Sequence, residues 1–276
     1  ISVNEEGQSG LHVESNTDLQ IDGNIKMMPN SFQSYNIVHA KGENIKITGK
    51  GTIIGDKHTH TGTTGEWGMG ILISQATNVV VSDLTIKNCW GDCIYVGGNS
   101  QNITIENCVL NHGRRQGVSV TSGDNIILRD LSIYNVSGTN PEYAIDIEPN
   151  DNGIVGNVLI EDVTVKDCKG GFLVWGGADN AIVNKVTIQN CNIDKTEKMP
   201  ISIAKCNICE VKKCTVSVGG LTYGIYAKNV QNVLIKRNRL FVNNDWLGRL
   251  KSWVSDGIFI DECKIVDVEG NKKIYQ

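Results

Sequence analysis

One phrase returns along this chain, and it restricts the possible folds more than any other feature. It is a short alternation led in most copies by a small residue: GILIS at 70, CIYVG at 93, GVSVT at 117, AIDIE at 144, GFLVW at 171, PISIA at 200, GIYAK at 224 and GIFID at 257. An earlier copy reads YNIVHA from 35, and a degenerate one reads GLHVES from 10. From residue 70 onward the copies start 23 to 33 residues apart, and each is followed by an apolar strand and then a third, shorter one. A period of that length marks a solenoid, whose units bury their apolar faces only against one another. The spacing is too irregular for a closed propeller. The sequence therefore predicts an all-β chain, a single-chain right-handed parallel β-helix of roughly ten coils.

Composition agrees. Among 276 residues there are 30 glycines but only 4 prolines, and Val, Ile, Asn and Thr recur, a vocabulary of strands and turns. Within each phrase every second side chain is apolar, which turns Ile71 and Ile73, Ile94 and Val96, Val118 and Val120, and Ile145 and Ile147 inward. The second strand is introduced by Asn44, Asn78, Asn102, Asn125, Asn157 and Asn232. Asparagine tolerates the left-handed conformation at a turn and can bond its own kind in a stack, so an internal asparagine ladder is expected. The nine cysteines fall into the same register. Cys108, Cys191 and Cys214 stand where other coils have Leu84, Leu131 and Val163, and Cys89 and Cys168 match Val136. They read as core thiols, made in a reducing cytoplasm, rather than as a disulfide framework. Cys206 and Cys209 lack the second ligand pair that a zinc site needs, so no metal is assigned to them.

No domain boundary interrupts the repeat, and residues 1–276 read as one β-helix domain. Ile1 opens directly into strand-like sequence, which suggests a fragment of a longer chain or a chain that has lost a leader. The last nine residues, VEGNKKIYQ, are polar enough to begin a cap. No apolar run is long enough for membrane insertion. A net charge of −4 without a basic stripe argues against nucleic acid as a partner.

Regular coils are scaffold, and function is expected where they are interrupted. Three insertions stand out: 56–69 (DKHTHTGTTGEWGM), 137–143 (SGTNPEY) and 243–256 (NNDWLGRLKSWVSD), the last resembling a short helix with Trp246 and Trp253. Each precedes one of the repeated phrases, so all three emerge on one side and flank the same sheet. The outward column of that sheet reads Leu72, Tyr95, Ser119, Asp146, Leu173, Ser202, Tyr226 and Phe259, with Thr121, Glu148 and Trp175 two residues on. Asp92, Arg115, Gln116 and Tyr143 lie just before the strands, with His112 and Arg114 close by, and Glu66 and Trp67 can overhang from the first insertion.

Stacking would gather Asp92, Arg115, Asp146 and Glu148 as candidate catalytic groups on one exposed patch. Glu66, Trp67, Tyr95, His112, Arg114, Ser119, Tyr143, Trp175 and Lys205 become candidate substrate-binding groups. Rings for sugar faces and charges for hydroxyls or acidic substituents suit a polysaccharide. Two reactions fit. A hydrolase would use a pair drawn from Asp92, Asp146 and Glu148 as acid and base. A lyase would neutralise a uronate with Arg114, Arg115 or Lys205, or with a calcium ion on Asp146 and Glu148, and Tyr95 or Tyr143 could assist. No cofactor is otherwise required. His58 and His60 read as surface histidines rather than metal ligands. A non-catalytic glycan-binding or structural module is the alternative of a different class.

The coil pattern resembles the pectate-lyase-like superfamily of right-handed β-helices over nearly the whole chain. The segments HTGTTGEWGMGI, NCWGDCIYVGG, NHGRRQGVSV and GTNPEYAIDIEPN look like those of phage tailspike and bacterial surface β-helix proteins. That resemblance implies a polysaccharide substrate, a depolymerase of lyase or hydrolase type, an extracellular or virion-surface location, and assembly as a homotrimer. It breaks at one place. The polygalacturonase-type hydrolases carry two adjacent aspartates before the strand and Gly-His-Gly on the next coil. Here Gly91 precedes Asp92, and Gln116 stands where the histidine belongs. That hydrolase mechanism is therefore not assigned.

Overall fold

The computed structural model describes residues 1–194, 196–218, 223–242 and 257–275. They form stacked coils of parallel strands, with no helix among the described residues. Each coil contributes a strand to each of three faces. The first face is built from β1 (Ser9–Val13), the leading part of β4 (Ser34–Thr48) and of β6 (Trp67–Ser82), β8 (Ile94–Gly97) and β11 (Val118–Val120). It continues through β14 (Tyr143–Ile147), β17 (Gly170–Trp175), β20 (Ile201–Ala204), β23 (Ile225–Lys228) and β26 (Ile258–Asp261). The second face carries the trailing parts of β4 and β6 together with strands such as β9 (Ser100–Glu106), β12 (Gly123–Arg129) and β15 (Ile154–Glu161). Because β4 and β6 run through the corner, the two faces join as one 18-stranded sheet. The third face is a separate 10-stranded sheet, running from β3 (Asn24–Lys26) to β28 (Lys272–Tyr275). Roughly ten coils are thus what the repeat implied.

The register on the first face is the one read from the alternation. Leu72 pairs with Tyr95, Tyr95 with Ser119, Ser119 with Asp146, and Asp146 with Leu173, continuing to Ser202, Tyr226 and Phe259. Between them, Ile71, Ile94, Val118, Ile145 and Phe172 form an inward column without solvent exposure. Eight of the nine cysteines are buried in this core and all nine are free thiols. Burial pushes Cys108, Cys168 and Cys206 up to about 12, so they stay protonated and pack as small apolar groups.

Two expectations need correction. The asparagine ladder exists, but it runs along the outside of a corner. Asn44 donates to Asn16 at 3.1 Å, Asn78 to Asn44 at 3.1 Å, Asn102 to Asn78 at 3.0 Å and Asn125 to Asn102 at 2.7 Å, all exposed. Asn44, Asn78, Asn102 and Asn125 sit at φ between 55° and 58°, which turns the chain while their amides stack outside it. Asn157 leaves the series and donates to Asp124 at 3.0 Å, and Asn232 lies within a strand of the second face. The C-terminal segment forms an ordinary rung rather than the start of a cap, since β28 pairs in parallel with β25 (Arg239–Val242). The third insertion, 243–256, with Trp246 and Trp253, lies outside the described residues.

The ladder separates two energies at one position. Asn102→Gly loses two amide rungs but keeps the turn, whereas Asn102→Ala also forces a Cβ into the left-handed region, at roughly 1–2 kcal/mol more. Alanine is therefore expected to lower the denaturation midpoint further than glycine; equal midpoints would mean that the backbone conformation contributes nothing.

Candidate functional site

Three consecutive coils deliver the polar groups of the first face to one place. Asp92 lies two residues before β8, Gln116 and Arg115 lie just before β11, and Asp146 is the last residue but one of β14. Asp92 has no solvent exposure, and Ser119 and Asp146 each retain 2%. The expected exposed patch is therefore a buried cluster, reached by the first insertion through Glu66, and Tyr143 at the end of the second insertion is buried too. The Ser119 hydroxyl donates to Asp92 Oδ2 at 2.7 Å, and the Gln116 backbone N–H donates to Asp92 Oδ1 at 3.1 Å. The Gln116 side-chain amide donates to Asp146 Oδ2 at 2.6 Å. One glutamine thus bridges two buried carboxyls from coils on either side of its own.

Arg115 closes the cluster toward solvent. Its Nη1 lies 3.3 Å from Asp92 Oδ2 and its Nε lies 3.6 Å from Glu66 Oε2. Burial works against its charge, but the Asp92 and Glu66 carboxylates outweigh that and hold its pKa up. Burial pushes Asp92 up to about 6, even though Arg115, Ser119 and the Gln116 amide pull the other way. Asp146 is also raised, first by burial and then by the Glu148 carboxyl beside it. Asp146 Oδ1 has no hydrogen-bond donor. Tyr143, raised by burial and by Asp146, lies against the same carboxyl.

The other candidates are dispersed. Tyr95 and Thr121 share a hydrogen bond of 2.8 Å on the half-buried flank of Ser119. Trp67 is 47% exposed, but it begins β6 and pairs with Ser34 instead of standing on the first insertion. Trp175 and Lys205, with Nζ 5.9 Å from the ring, form a separate pair further along the rod. Arg114 does not join Arg115. Its guanidinium stacks 3.7 Å over Trp90 and donates to the Gly65 carbonyl at 2.9 Å, fastening the first insertion down. His112 faces His58 instead, with ring centroids 6.3 Å apart.

The alternation could not reveal the base of the first insertion. His60 is no surface residue: its side chain is buried, its Nδ1 lies 2.9 Å from Asp56 Oδ2, and its ring stacks 3.9 Å from Trp90. Asp56 also accepts from the Tyr35 hydroxyl and, at 3.0 Å, from the Asn30 amide. Gln116 is the second omission. A glutamine two residues ahead of the inward Val118, on the coil between those of Asp92 and Asp146, is the signal that could have found it.

Among the described residues no three His, Cys, Asp or Glu side chains converge to hold a metal ion. A family model described as a right handed beta helix region matches residues 1–155 and 143–274. The chain belongs to the right-handed β-helix family.

Within it, YclG of Bacillus subtilis (strain 168) is 27% identical over 310 aligned positions, covering 96% of this chain and 52% of that protein. The SPbeta prophage-derived YorA of the same organism is 28% identical over 191 positions, covering 60% of this chain and 32% of that protein. The chain spans about half of the first relative's length and about a third of the second's. Solved β-helices align at low identity and show a shared fold. An exopolygalacturonase from Thermotoga maritima gives a TM-score of 0.55 at 17% identity, covering 88% of this chain and 72% of that one. The tailspike protein gp49 of Acinetobacter baumannii bacteriophage Fri1, a capsular polysaccharide depolymerase, gives 0.55 at 16%, covering 90% and 43%. The A-module of the mannuronan C-5 epimerase AlgE4 of Azotobacter vinelandii gives 0.54 at 12%, covering 100% and 86%.

The β-helix also explains why Gly91 stands before Asp92. A Cβ there would lie 2.4 Å from the Glu66 carbonyl oxygen, so the first insertion occupies the space in which a side chain would stand.

The raised carboxyls have a consequence in acid. A carboxyl whose pKa is higher in the folded state binds its proton more tightly there, so stability falls as pH rises between the two values. For Asp92 that window runs from the ordinary 3.8 to about 6. The shift is worth roughly 3 kcal/mol. Asp92→Asn is expected to flatten the decline in denaturation midpoint between about pH 4 and pH 6, and an unchanged slope would remove Asp92 from the titration.

Proposed function

We propose that this β-helix hydrolyses a polysaccharide, with the reacting bond placed over the Asp92–Gln116–Asp146 bridge. The observation that carries the reading is a pair of buried carboxyls, both raised, held apart by a single glutamine residue. Two strand steps of about 4.8 Å separate their coils by roughly 9–10 Å, near the upper end of the about 6.5–9.5 Å at which inverting glycosidases hold their acid and base. Asp146, raised by burial and by the neighbouring Glu148 carboxyl, is the acid that protonates the leaving oxygen. Asp92, ionised above about pH 6 and turned by Ser119 and Arg115, is the base that takes a proton from the attacking water. The exopolygalacturonase, tailspike depolymerase and epimerase that share the scaffold support a glycan as substrate.

A hydrolase fits better than a lyase because the cations are committed elsewhere. A lyase must neutralise a uronate carboxylate while its neighbouring proton is removed. Arg115 is engaged by Asp92 and Glu66, Arg114 lies on Trp90, and Lys205 follows β20, two strands beyond Asp146. The near-complete burial of Asp92, Ser119 and Asp146 favours one other reading, a non-catalytic glycan-binding module in which these groups only brace the sheet. Action outside the cell or on a virion surface, and assembly as a trimer, belong to the same proposal.

Asp146→Asn and Asp92→Asn are each expected to lower kcat on the hydrolysed polymer about 10²–10⁴-fold while the far-ultraviolet spectrum stays unchanged. Wild-type kcat/KM should fall below about pH 6 as Asp92 takes up a proton. The first product seen by NMR should have the inverted anomeric configuration, and EDTA should leave the rate unaltered. Unsaturated uronates absorbing in the ultraviolet would establish a lyase, EDTA sensitivity would restore calcium to Asp146 and Glu148, and the absence of any new reducing end would leave the binding module.

A further inference from the structure

Beyond the bridge, the first face carries an aromatic ring and a charge that the acid–base reading does not use. Trp175 ends β17, and because Ile147 pairs with Val174 it stands one strand step of about 4.8 Å past Glu148. Its indole lies against the turn that follows, where a Cβ on Gly177 would stand 2.0 Å from the six-membered ring. That turn fixes the ring, and the half-buried ring keeps part of its surface in solvent. On the next coil Ala204 pairs with Trp175, and its methyl group is too short to cover the indole. Lys205 follows Ala204, is exposed, and holds its Nζ 5.9 Å from the centre of the ring. Other lysines on these coils pair with carboxylates: Lys169 with Glu197, Lys198 with Glu142 at 3.0 Å and Lys228 with Asp261 at 3.0 Å. Lys205 makes no ion pair among the described residues.

We infer that Trp175 and Lys205 form a second subsite for the same polymer, one that takes a pyranose bearing an anionic group, carboxylate or sulfate. The apolar face of the pyranose packs on the indole, and its anion accepts hydrogen bonds from the Lys205 ammonium. This rests on the proposed glycan substrate and not on the hydrolytic mechanism. The ammonium is free to make that contact. At 5.9 Å it sits near the outer limit of about 6 Å for a cation over a ring, so turning to an anion breaks no strong bond. Distance decides the charge that the subsite accepts. An anion paired with Lys205 lies about 4 Å from the ammonium, whereas two strand steps separate its coil from that of Glu148 by roughly 9–10 Å. Repulsion at that range exceeds the screening length of about 8 Å at physiological salt, and the contact attraction prevails. The acidic unit therefore sits beside the reacting unit, on the side of the bridge toward β20.

The test is affinity electrophoresis of the whole chain through gels containing, in turn, polygalacturonate, alginate, a sulfated galactan and a neutral galactan, with reducing ends assayed in parallel. Retardation by a polyuronate or by the sulfated galactan is expected, weakening as salt rises, and which of them acts identifies the anion. Lys205→Gln should weaken it at least about tenfold, as the loss of a charged hydrogen bond does, whereas Lys205→Arg should keep it. Trp175→Ala should weaken it about tenfold without changing its salt dependence. Retardation that follows this pattern without new reducing ends would uphold the subsite and remove the hydrolase. New reducing ends, with retardation unchanged in Lys205→Gln and Trp175→Ala, would overturn the subsite and leave the hydrolase standing. Equal retardation by the neutral galactan, or none by any of the three anionic polymers, would also overturn the subsite.

Discussion

The in-register parallel ladder between coils is the constraint on which the rest of this structure depends. Because each strand pairs residue for residue with the next, a position in one coil becomes a column running along the rod. Inward columns collect Ile, Val and Cys, and outward columns collect whatever the coils supply. Neighbouring strands lie about 4.8 Å apart, so residues 24 to 30 positions distant in sequence become hydrogen-bonding neighbours. Ser119 reaches Asp92, and Gln116 reaches Asp146, through that spacing and through no local feature of the chain.

The same ladder accounts for the tension at the site. A buried carboxyl is costly unless it is paired and hydrogen-bonded. Asp92 largely meets that condition with a hydroxyl, a backbone amide and a guanidinium, and still its pKa rises. Asp146 meets it only in part, with one amide donor and another carboxyl as its neighbour. A purely structural cluster would be more stable with apolar or amide side chains of similar size in these places. Two buried carboxyls raised by different environments are what the proposed acid–base chemistry would use.

What could be read in advance follows from which physical signals are local. The outward column from Leu72 to Phe259 was legible because a strand has a period of two and the phrase repeats in every coil. The thiols were legible as core because they alternate with Leu and Val at one register position. Burial of Asp92, Ser119 and Asp146 was not legible, because it depends on how side chains such as Arg115, Gln116 and Glu66 from different coils close over one another, and no periodicity governs that. The separation of Arg114 from Arg115 has the same origin. Adjacent residues point to opposite sides, and only the position of Trp90 and of the Gly65 carbonyl decides where the first guanidinium goes. The asparagines revealed their left-handed turns, but the side of the corner on which their amides stack is set by the path of the whole coil.

The first insertion connects these levels. Its base is fixed by Asp56, which gathers Tyr35, Asn30 and His60, and His60 in turn lies on Trp90. Arg114 covers the other contact with that indole and ties it to Gly65, the residue before Glu66. Glu66 then sets the charge around Arg115, and Arg115 sets the charge around Asp92. The backbone of the insertion meanwhile takes the space above Gly91, which excludes a second aspartate there. One loop therefore removes a carboxylate from one position and supplies another, Glu66, from the opposite side of Arg115. The scaffold is common to many β-helices, whereas the electrostatics of this site are set by a buried histidine–aspartate pair that makes no contact with the carboxyls it helps to place.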